Sequence, residues 1–257
     1  MANIEYTNKW TNNSFNAKKV NEYDRKFYVR FEKNIKHRQQ INLIKKYLKE
    51  TDKWLDAPIG SGRLMDAIKH DNSLCNGFDI SDSFIEWNNN KGIECFKGDL
   101  FELNIDKKFD IITSMHTIFA FKDFKKILNN YTKLLEKNGY LIVDIVNNDL
   151  YNKFPFDKKH DKSIDSINGM TLDEIELFFN ELNCDLIELI PHDYFDSEYV
   201  LDWKYSGNYL VKKVKNLIWR VANKLYFKLN LFPLFDLLED REKIEYFNKY
   251  LVVVRKR

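Results

Sequence analysis

Leu55-Asp56-Ala57-Pro58-Ile59-Gly60-Ser61-Gly62-Arg63 is the stretch on which the reading of this chain turns. A short apolar strand, Trp54–Ala57, carries an acid near its end. A tight turn with two glycines follows, and Arg63–Lys69 reads as a helix. Glycine lets the backbone approach a ligand closely. The free N–H groups of the helix start favour polar or anionic groups. The Gly-Lys-Ser/Thr ending of a P-loop is absent, and Gly60-Ser61-Gly62-Arg63-Leu64-Met65 lacks the third glycine of the dinucleotide fingerprint.

Outward from this turn the chain alternates between strand-like and helix-like segments. Residues 17–50 read as helical, with Ile35, Ile41, Leu43, Ile44, Tyr47 and Leu48 near helical spacing. Leu74–Ile80 is the second predicted strand, Asp82–Asn88 a helix, and Ile93–Lys97 the third strand. Phe109–Met115 is apolar enough to be buried on both faces. Asp123–Glu136 places Phe124, Ile127, Leu128, Tyr131, Leu134 and Leu135 on one helical stripe, with Gly139 as its expected stop. Tyr140–Val146 is the fifth strand. Asn147–Met170 reads as a polar loop. Thr171–Leu182 opens with a capping-box pattern, and Leu186–Pro191 and Tyr246–Val254 close the series.

Such alternation predicts an α/β fold: a doubly wound, seven-stranded, mostly parallel sheet with helices on both faces. The expected organisation is a single domain over residues 1–257. It comprises an N-terminal helical arm (1–50), a core (51–192), a helical insert between the last two strands (193–245) and a final strand (246–257). Ligands of such sheets bind outside the carboxyl ends of the strands. Glycine is scarce, 8 in 257 residues beside 4 prolines. Gly60, Gly62, Gly77, Gly98 and Gly139 all fall between residues 60 and 139, so the glycine-dependent turns concentrate in that half.

The motifs, taken in order, resemble those of the class I S-adenosylmethionine-dependent methyltransferases. Asp56 through Gly62 is similar to that family's first motif in its D-x-P-x-G-x-G form, with Pro58 in place of the first glycine. Gly77-Phe78-Asp79-Ile80-Ser81 ends the second strand in an acid 17 residues after Gly62. Lys97-Gly98-Asp99-Leu100 follows the third strand. Phe109–His116 resembles the fourth-strand motif, and Leu134–Leu141 the link from helix to fifth strand. The resemblance covers residues 45–150 well and 170–257 in outline. It implies S-adenosyl-L-methionine as cofactor and S-adenosyl-L-homocysteine as product. It places Asp56, Ala57, Pro58, Gly60 and Gly62 around the cofactor turn and Asp79, with Ile80, at the ribose. Asp99 goes to the adenine amino group, Leu100 over the ring, and Ser114 and Met115 at the fourth-strand edge. In the arm, Tyr23 or Arg30 would reach the methionine end.

Charge and composition exclude several classes. The formal charge is +2, so no global basic field invites nucleic acid. Residues 1–50 carry 12 basic and 5 acidic groups, whereas residues 51–150 carry 12 and 16. Cys75, Cys95 and Cys184 are odd in number and set in apolar runs, which predicts reduced thiols in a core. No CxxC or HExxH supports a metal site. The N-terminus lacks the apolar stretch of a secretory signal, and no run spans a bilayer, so a cytoplasmic protein is expected; heavy use of Lys, Asn, Ile and Phe points to an AT-rich bacterial genome.

Methyl transfer to a hydroxyl benefits from a general base. His116, past the fourth strand, is the first candidate and His192 the second; either also reads as a structural histidine. Thr113–Ile118 lacks the D/N-P-P-Y/F motif of amide- and adenine-amino methyltransferases. The expected acceptor is a small molecule or glycan intermediate, methylated at oxygen. Residues 204–235 contain seven basic groups and no acid, with Leu210, Val214, Leu217, Val221, Leu225 and Leu229 at helical spacing. Three readings fit: a lid over the acceptor pocket, a peripheral membrane contact through 204–232 at the inner membrane face, or a homodimer surface. A methyltransferase for a membrane-linked acceptor, and a non-catalytic protein of the same fold, remain alternatives.

Overall fold

The computed structural model describes residues 20, 35–149, 168–192, 208–211, 214, 217–218 and 249–257. Tyr23, Arg30, His160 and most of the expected arm and insert lie outside these residues.

Helix α1 (Ile35–Tyr47) precedes strand β1 (Trp54–Asp56). There follow α2 (Arg63–Ile68), β2 (Cys75–Asp79), α3 (Asp82–Asn89), β3 (Glu94–Lys97), β4 (Phe109–Ser114) and α4 (Phe124–Leu134). The series closes with β5 (Leu135–Asn147), β6 (Gly169–Met170), α5 (Leu172–Glu181), β7 (Cys184–His192) and β8 (Lys249–Lys256). The sheet runs β3-β2-β1-β4-β5-β8-β7, with β6 paired to β5. Pairing is parallel throughout except at β8, which is antiparallel to β5 and β7. Chain order reverses between β1 and β4. That is the switch point at which open α/β sheets leave a crevice at the strands' carboxyl ends.

Alternate strand residues point to opposite faces, and two cores result. Leu55, Ile112, Leu141, Val143, Val252 and Val254 pack with α4 and α5 through Ile127, Leu128, Tyr131, Ile175 and Phe179. Their sequence neighbours Trp54, Ile111, Ile142, Leu251 and Val253 pack on the other side with α1 and α2, through Ile41, Ile44, Leu64 and Met65. Each such large side chain stabilises by about 1.5–3 kcal/mol when fully buried. Lys46 and Tyr47 on α1 both donate to Glu188 of β7, tying the helix to the sheet.

The doubly wound, mostly parallel sheet expected from the sequence is present, with two adjustments. An eighth strand, β6, lies inside the stretch read as loop. Two residues carry no readable alternation; Gly169 enters because a Cβ there would sit 2.2 Å from the carbonyl oxygen of Val146. Helix α4 stops at Leu134, not at Gly139. Leu135 already pairs with Phe109 of β4, and the chain then bulges through exposed residues 136–138 before Tyr140 pairs with Ile111. The positive φ in that bulge falls on Asn138 (65°). The start of α5 follows the sequence: Thr171 and Glu174 form a reciprocal capping box. Cys75 and Cys184 are buried and unbridged, and burial pushes the Cys75 thiol up to about 12.

Candidate active site

After β1 the chain turns through a cis Ala57–Pro58 peptide and is stitched to β2, where the Ile59 N–H donates to the Phe78 carbonyl at 2.9 Å. Gly60 (φ 53°) and Gly62 (φ 77°) occupy left-handed backbone, which L-residues with a Cβ adopt at a cost. The Gly60 N–H donates to Asp79 Oδ2 (2.9 Å) and the Ser81 N–H to Oδ1 (2.9 Å). Asp79 is buried. Burial pushes its carboxyl up to about 6, against the opposing pull of the Ser81, Gly60 and Ile80 backbone N–H groups.

A second clamp holds the turn from α3. Asn88 Nδ2 donates to the carbonyls of Gly60 and Phe84, both at 2.8 Å. A Cβ at Gly62 would meet Asn88 Oδ1 at 2.2 Å, whereas one at Gly60 would meet nothing within 4 Å. The two glycines therefore serve different ends: Gly62 admits the neighbouring helix, and Gly60 leaves space open. Lys91 Nζ donates to the Ser61 carbonyl (2.8 Å) and pairs with Asp66 (2.7 Å).

The turn, the β2 end and the β4 end enclose one cleft. Pro58, Gly60, Asp79, Ile80, Asp99, Leu100, Met115 and His116 line it, joined by Ile59, Ser61, Arg63, Phe84, Gly98, Thr117 and Phe121. The first eight were sequence candidates. Asp99 Oδ1 accepts from the Phe101 N–H (2.9 Å). A Cβ at Gly98 would strike the Phe78 ring at 2.7 Å.

Four other candidates lie beneath the cleft surface. Asp56 is buried and accepts from Thr113 Oγ1 (2.6 Å), which in turn accepts from Trp54 Nε1 (2.9 Å). Burial pushes the Asp56 carboxyl up to about 7, partly offset by the Thr113 hydrogen bond. The Ala57 carbonyl accepts from the Tyr131 hydroxyl (2.7 Å), and Ser114 Oγ lies 3.2 Å from the same hydroxyl. Gly62 faces Asn88. These residues brace the turn from behind.

His116 stands at the opposite end of the cleft in left-handed backbone, φ 59°. Its N–H donates to Asp144 Oδ1 (2.7 Å). Asp144, fully buried on β5, also accepts from Lys249 Nζ of β8 (2.7 Å). Lys249 Nζ lies 3.5 Å from His116 Nδ1 and 4.3 Å from the centre of the Phe119 ring. Gln40 of α1 sets its Nε2 2.9 Å from His116 Nε2 and 3.2 Å from His192 Nε2. His192 Nδ1 is 3.0 Å from Gln39 Oε1. His192 is completely buried and does not line the cleft; it stands behind His116. His37 of α1 is edge-on to His116 with ring centres 5.8 Å apart.

Gln40, Asp144 and Lys249 escaped the sequence reading. Asp144 did leave a signal: an acid inside the buried run Leu141–Val146 needs a partner. Nothing local pointed to Lys249 or Gln40. Asp110 is a simpler case, its carboxylate accepting from the Lys53 N–H at the start of β1 (2.8 Å).

Residues 28–189 match the family described as methyltransferase domain. No curated protein matches the sequence. Among solved structures, an S-adenosylmethionine-dependent methyltransferase of Thermotoga maritima aligns at 23% identity and TM-score 0.50, over 67% of this chain and 80% of its own. The O-methyltransferase of a trans-AT PKS multienzyme of Brevibacillus brevis, in complex with S-adenosyl-L-homocysteine, aligns at 14% identity and TM-score 0.55, over 95% and 80%. The N-methyltransferase NodS of Bradyrhizobium japonicum, also in complex with S-adenosyl-L-homocysteine, aligns at 10% and 0.51, over 88% and 90%. At these identities the likeness is one of fold.

Proposed function

The chain belongs to the methyltransferase domain family, and from that premise we propose that it methylates a hydroxyl of a small-molecule or saccharide acceptor. The observation that carries this reading is a single cleft with the Gly60 turn, Asp79 and Asp99 along one side and His116 at the other end. When bound, S-adenosylmethionine supplies a methyl group already activated by its sulfonium.

The residues present fit that cofactor. Asp79 Oδ2 accepts from the Gly60 N–H and Oδ1 from the Ser81 N–H, and the carboxylate keeps acceptor capacity for ribose hydroxyls. The open space beside Gly60 admits the cofactor chain against the backbone. Asp99 retains Oδ2 as an acceptor for an amino group, with Leu100 beside it as an apolar cover. Pro58, Ile80 and Met115 supply further wall. Asp56, Ala57, Gly62 and Ser114 act at one remove, through the shape of the turn.

Transfer is an in-line displacement, so alignment and exclusion of water are the protein's main work. With the cofactor held there, its methyl group would be offered to the acceptor oxygen, and the electron pair of the broken carbon–sulfur bond would stay on sulfur. The hydroxyl proton passes to His116 Nε2, which gives up the Gln40 amide 2.9 Å away to receive it. Asp144 fixes the His116 backbone, and Gln40 sets its ring. His192, enclosed behind Gln40, supports this arrangement and does not meet the acceptor. Because α1 of the arm delivers Gln40, we propose that the arm (1–50) and the insert (193–245) form the acceptor side of one domain, with Tyr23 of the arm reaching the methionine end of the cofactor.

Titration calorimetry with S-adenosylmethionine tests the cofactor half. Binding is expected, and no heat with the wild-type chain would overturn the reading. A screen of hydroxylated acceptors with methyl-labelled S-adenosylmethionine tests the other half. Once an acceptor is found, His116→Ala should abolish turnover and spare cofactor affinity; full turnover would remove His116 as the base.

A further inference from the structure

Gln40 of α1 is completely buried, yet its Oε1 meets no hydrogen-bond partner. A bare buried amide oxygen costs free energy, and in a folded protein such an orphan calls for a reason. The reason lies at the other atom of the same amide. Gln40 Nε2 stands 2.9 Å from His116 Nε2 and 3.2 Å from His192 Nε2. An amide nitrogen offers two hydrogens and no lone pair. It can serve both rings only if both Nε2 atoms are bare.

The far end of this chain of contacts fixes where the hydrogens sit. His192 Nδ1 lies 3.0 Å from Gln39 Oε1, an oxygen that can only accept, so Nδ1 carries the hydrogen. A completely enclosed imidazole favours its neutral form, which leaves His192 Nε2 bare and in need of a donor. Gln40 meets that need with its nitrogen, and the second hydrogen on that nitrogen is then available to His116 Nε2. The His116 hydrogen accordingly sits on Nδ1, which faces Asp144 Oδ2 at 3.4 Å. The Nδ1 side by itself does not decide the tautomer, because Lys249 Nζ, a donor, is 3.5 Å away. Turning the Gln40 amide over would pair Oε1 but strip both rings of their donor, so the oxygen stays bare. Among the described residues, the charged or titratable groups facing His116 are Asp144 from β5, Lys249 from β8, His192 from β7 and His37 from α1.

We propose that Gln40 is a positioning residue that locks His116 and His192 in one shared tautomer, with hydrogen on Nδ1 and Nε2 bare, and so holds His116 in the form that accepts a proton. Its consequence in turnover rests on His116 being the base, but the tautomer is read without cofactor or acceptor.

Proton–nitrogen correlation NMR of the full chain, with nitrogen-labelled histidine, provides the test, since protonated and bare ring nitrogens resonate far apart. Loss of signals in His116→Ala and His192→Phe assigns the two rings. Above their titration midpoints both rings should carry hydrogen on Nδ1, the minor tautomer of free histidine. In Gln40→Leu, His116 should shift toward hydrogen on Nε2. Its titration midpoint should rise by about one pH unit, because a hydrogen bond to the neutral form is lost. His192→Phe frees the amide to turn over and should move the His116 tautomer the same way. Gln39→Leu, which acts through His192, should do so in smaller measure. Two outcomes would overturn the proposal. One is a wild-type His116 with hydrogen on Nε2, which would give its Nδ1 to Lys249; this measurement needs no variant and stands even if Gln40→Leu does not fold. The other is an unchanged His116 tautomer and midpoint in both Gln40→Leu and His192→Phe. Full turnover by His116→Ala would instead remove the base reading and leave the tautomer as it is.

Discussion

The two ends of the cleft are assembled in opposite ways. The Gly60–Asp79–Asp99 end comes from consecutive strand-to-loop segments, and its main contact, Gly60 N–H to Asp79, joins residues 19 apart. Backbone groups do much of the holding there: the N–H groups of Gly60 and Ser81, and the Gly60 carbonyl under Asn88. At the His116 end, side chains converge from α1, β5, β7 and β8. Gln40 meets His116 over 76 positions and His192 over 152, and Lys249 meets Asp144 over 105. An end built from backbone suits a constant ligand, because backbone geometry survives most substitutions. An end built from distant side chains can be rebuilt one residue at a time.

Four experiments sharpen or break this contrast. The largest effect is expected at the His116 end. Lys249→Met leaves the fully buried Asp144 without its cation, which should cost about 3–5 kcal/mol of stability, read by chemical or thermal unfolding. Pairing it with Asp144→Leu should recover part of that loss. A near-neutral Lys249→Met would show that the ion pair does not hold this end.

At the opposite end, Asp79→Ala should weaken S-adenosylmethionine binding by about 100-fold or more, since hydrogen bonds to a charged group are worth about 1.5–3 kcal/mol each. Asp99→Ala, whose residue is exposed, should cost about tenfold by the same scale. Calorimetry reads both, and equal losses would contradict the assigned roles.

Gly62→Ala should destabilise by about 1–3 kcal/mol, because it combines positive φ with a 2.2 Å approach to Asn88. Gly60→Ala carries only the backbone cost, about 1–2 kcal/mol, but its Cβ enters the open space. It should therefore lower cofactor affinity more than stability, and Gly62→Ala the reverse. Melting temperature and calorimetry together separate the two.

The last effect is in pH. Asp56 and Asp79 titrate near 7 and 6 in the folded chain, against 3.8 for an unburied aspartate. Between pH of about 4 and 7 the folded state thus holds protons that the unfolded state has released. Their contribution is fully present at low pH and is lost as pH rises through the folded values. Asp56→Asn should flatten that decline, measured as unfolding free energy against pH. An unchanged slope would show that burial of Asp56 does not set it.

The sequence was most legible where structure is local. The alternation of apolar segments and the acid-plus-glycine turn of residues 55–63 were enough for the sheet and for the turn after β1, because strand period, turn chemistry and helix start are properties of neighbours in the chain. The capping box at Thr171 and Glu174 belongs to the same class. It was less legible where pairing overrides local signals. Leu135 leaves its helix early because Phe109 offers a strand to join, and Gly169–Met170 becomes a strand because Val146 lies beside it.

By itself, then, the sequence determined the order of the main elements, the two-faced core and the residues that shape the glycine turn after β1, since these follow from spacing along one chain. Only the tertiary structure decided which candidates meet the cleft. It moved Asp56, Ser114 and His192 behind the surface and brought Asp144, Lys249 and Gln40 to His116. The physical reason is that burial and partnership at that end depend on strand pairing across more than one hundred positions, and a buried charge such as Asp144 takes its meaning from the partner that folding brings to it.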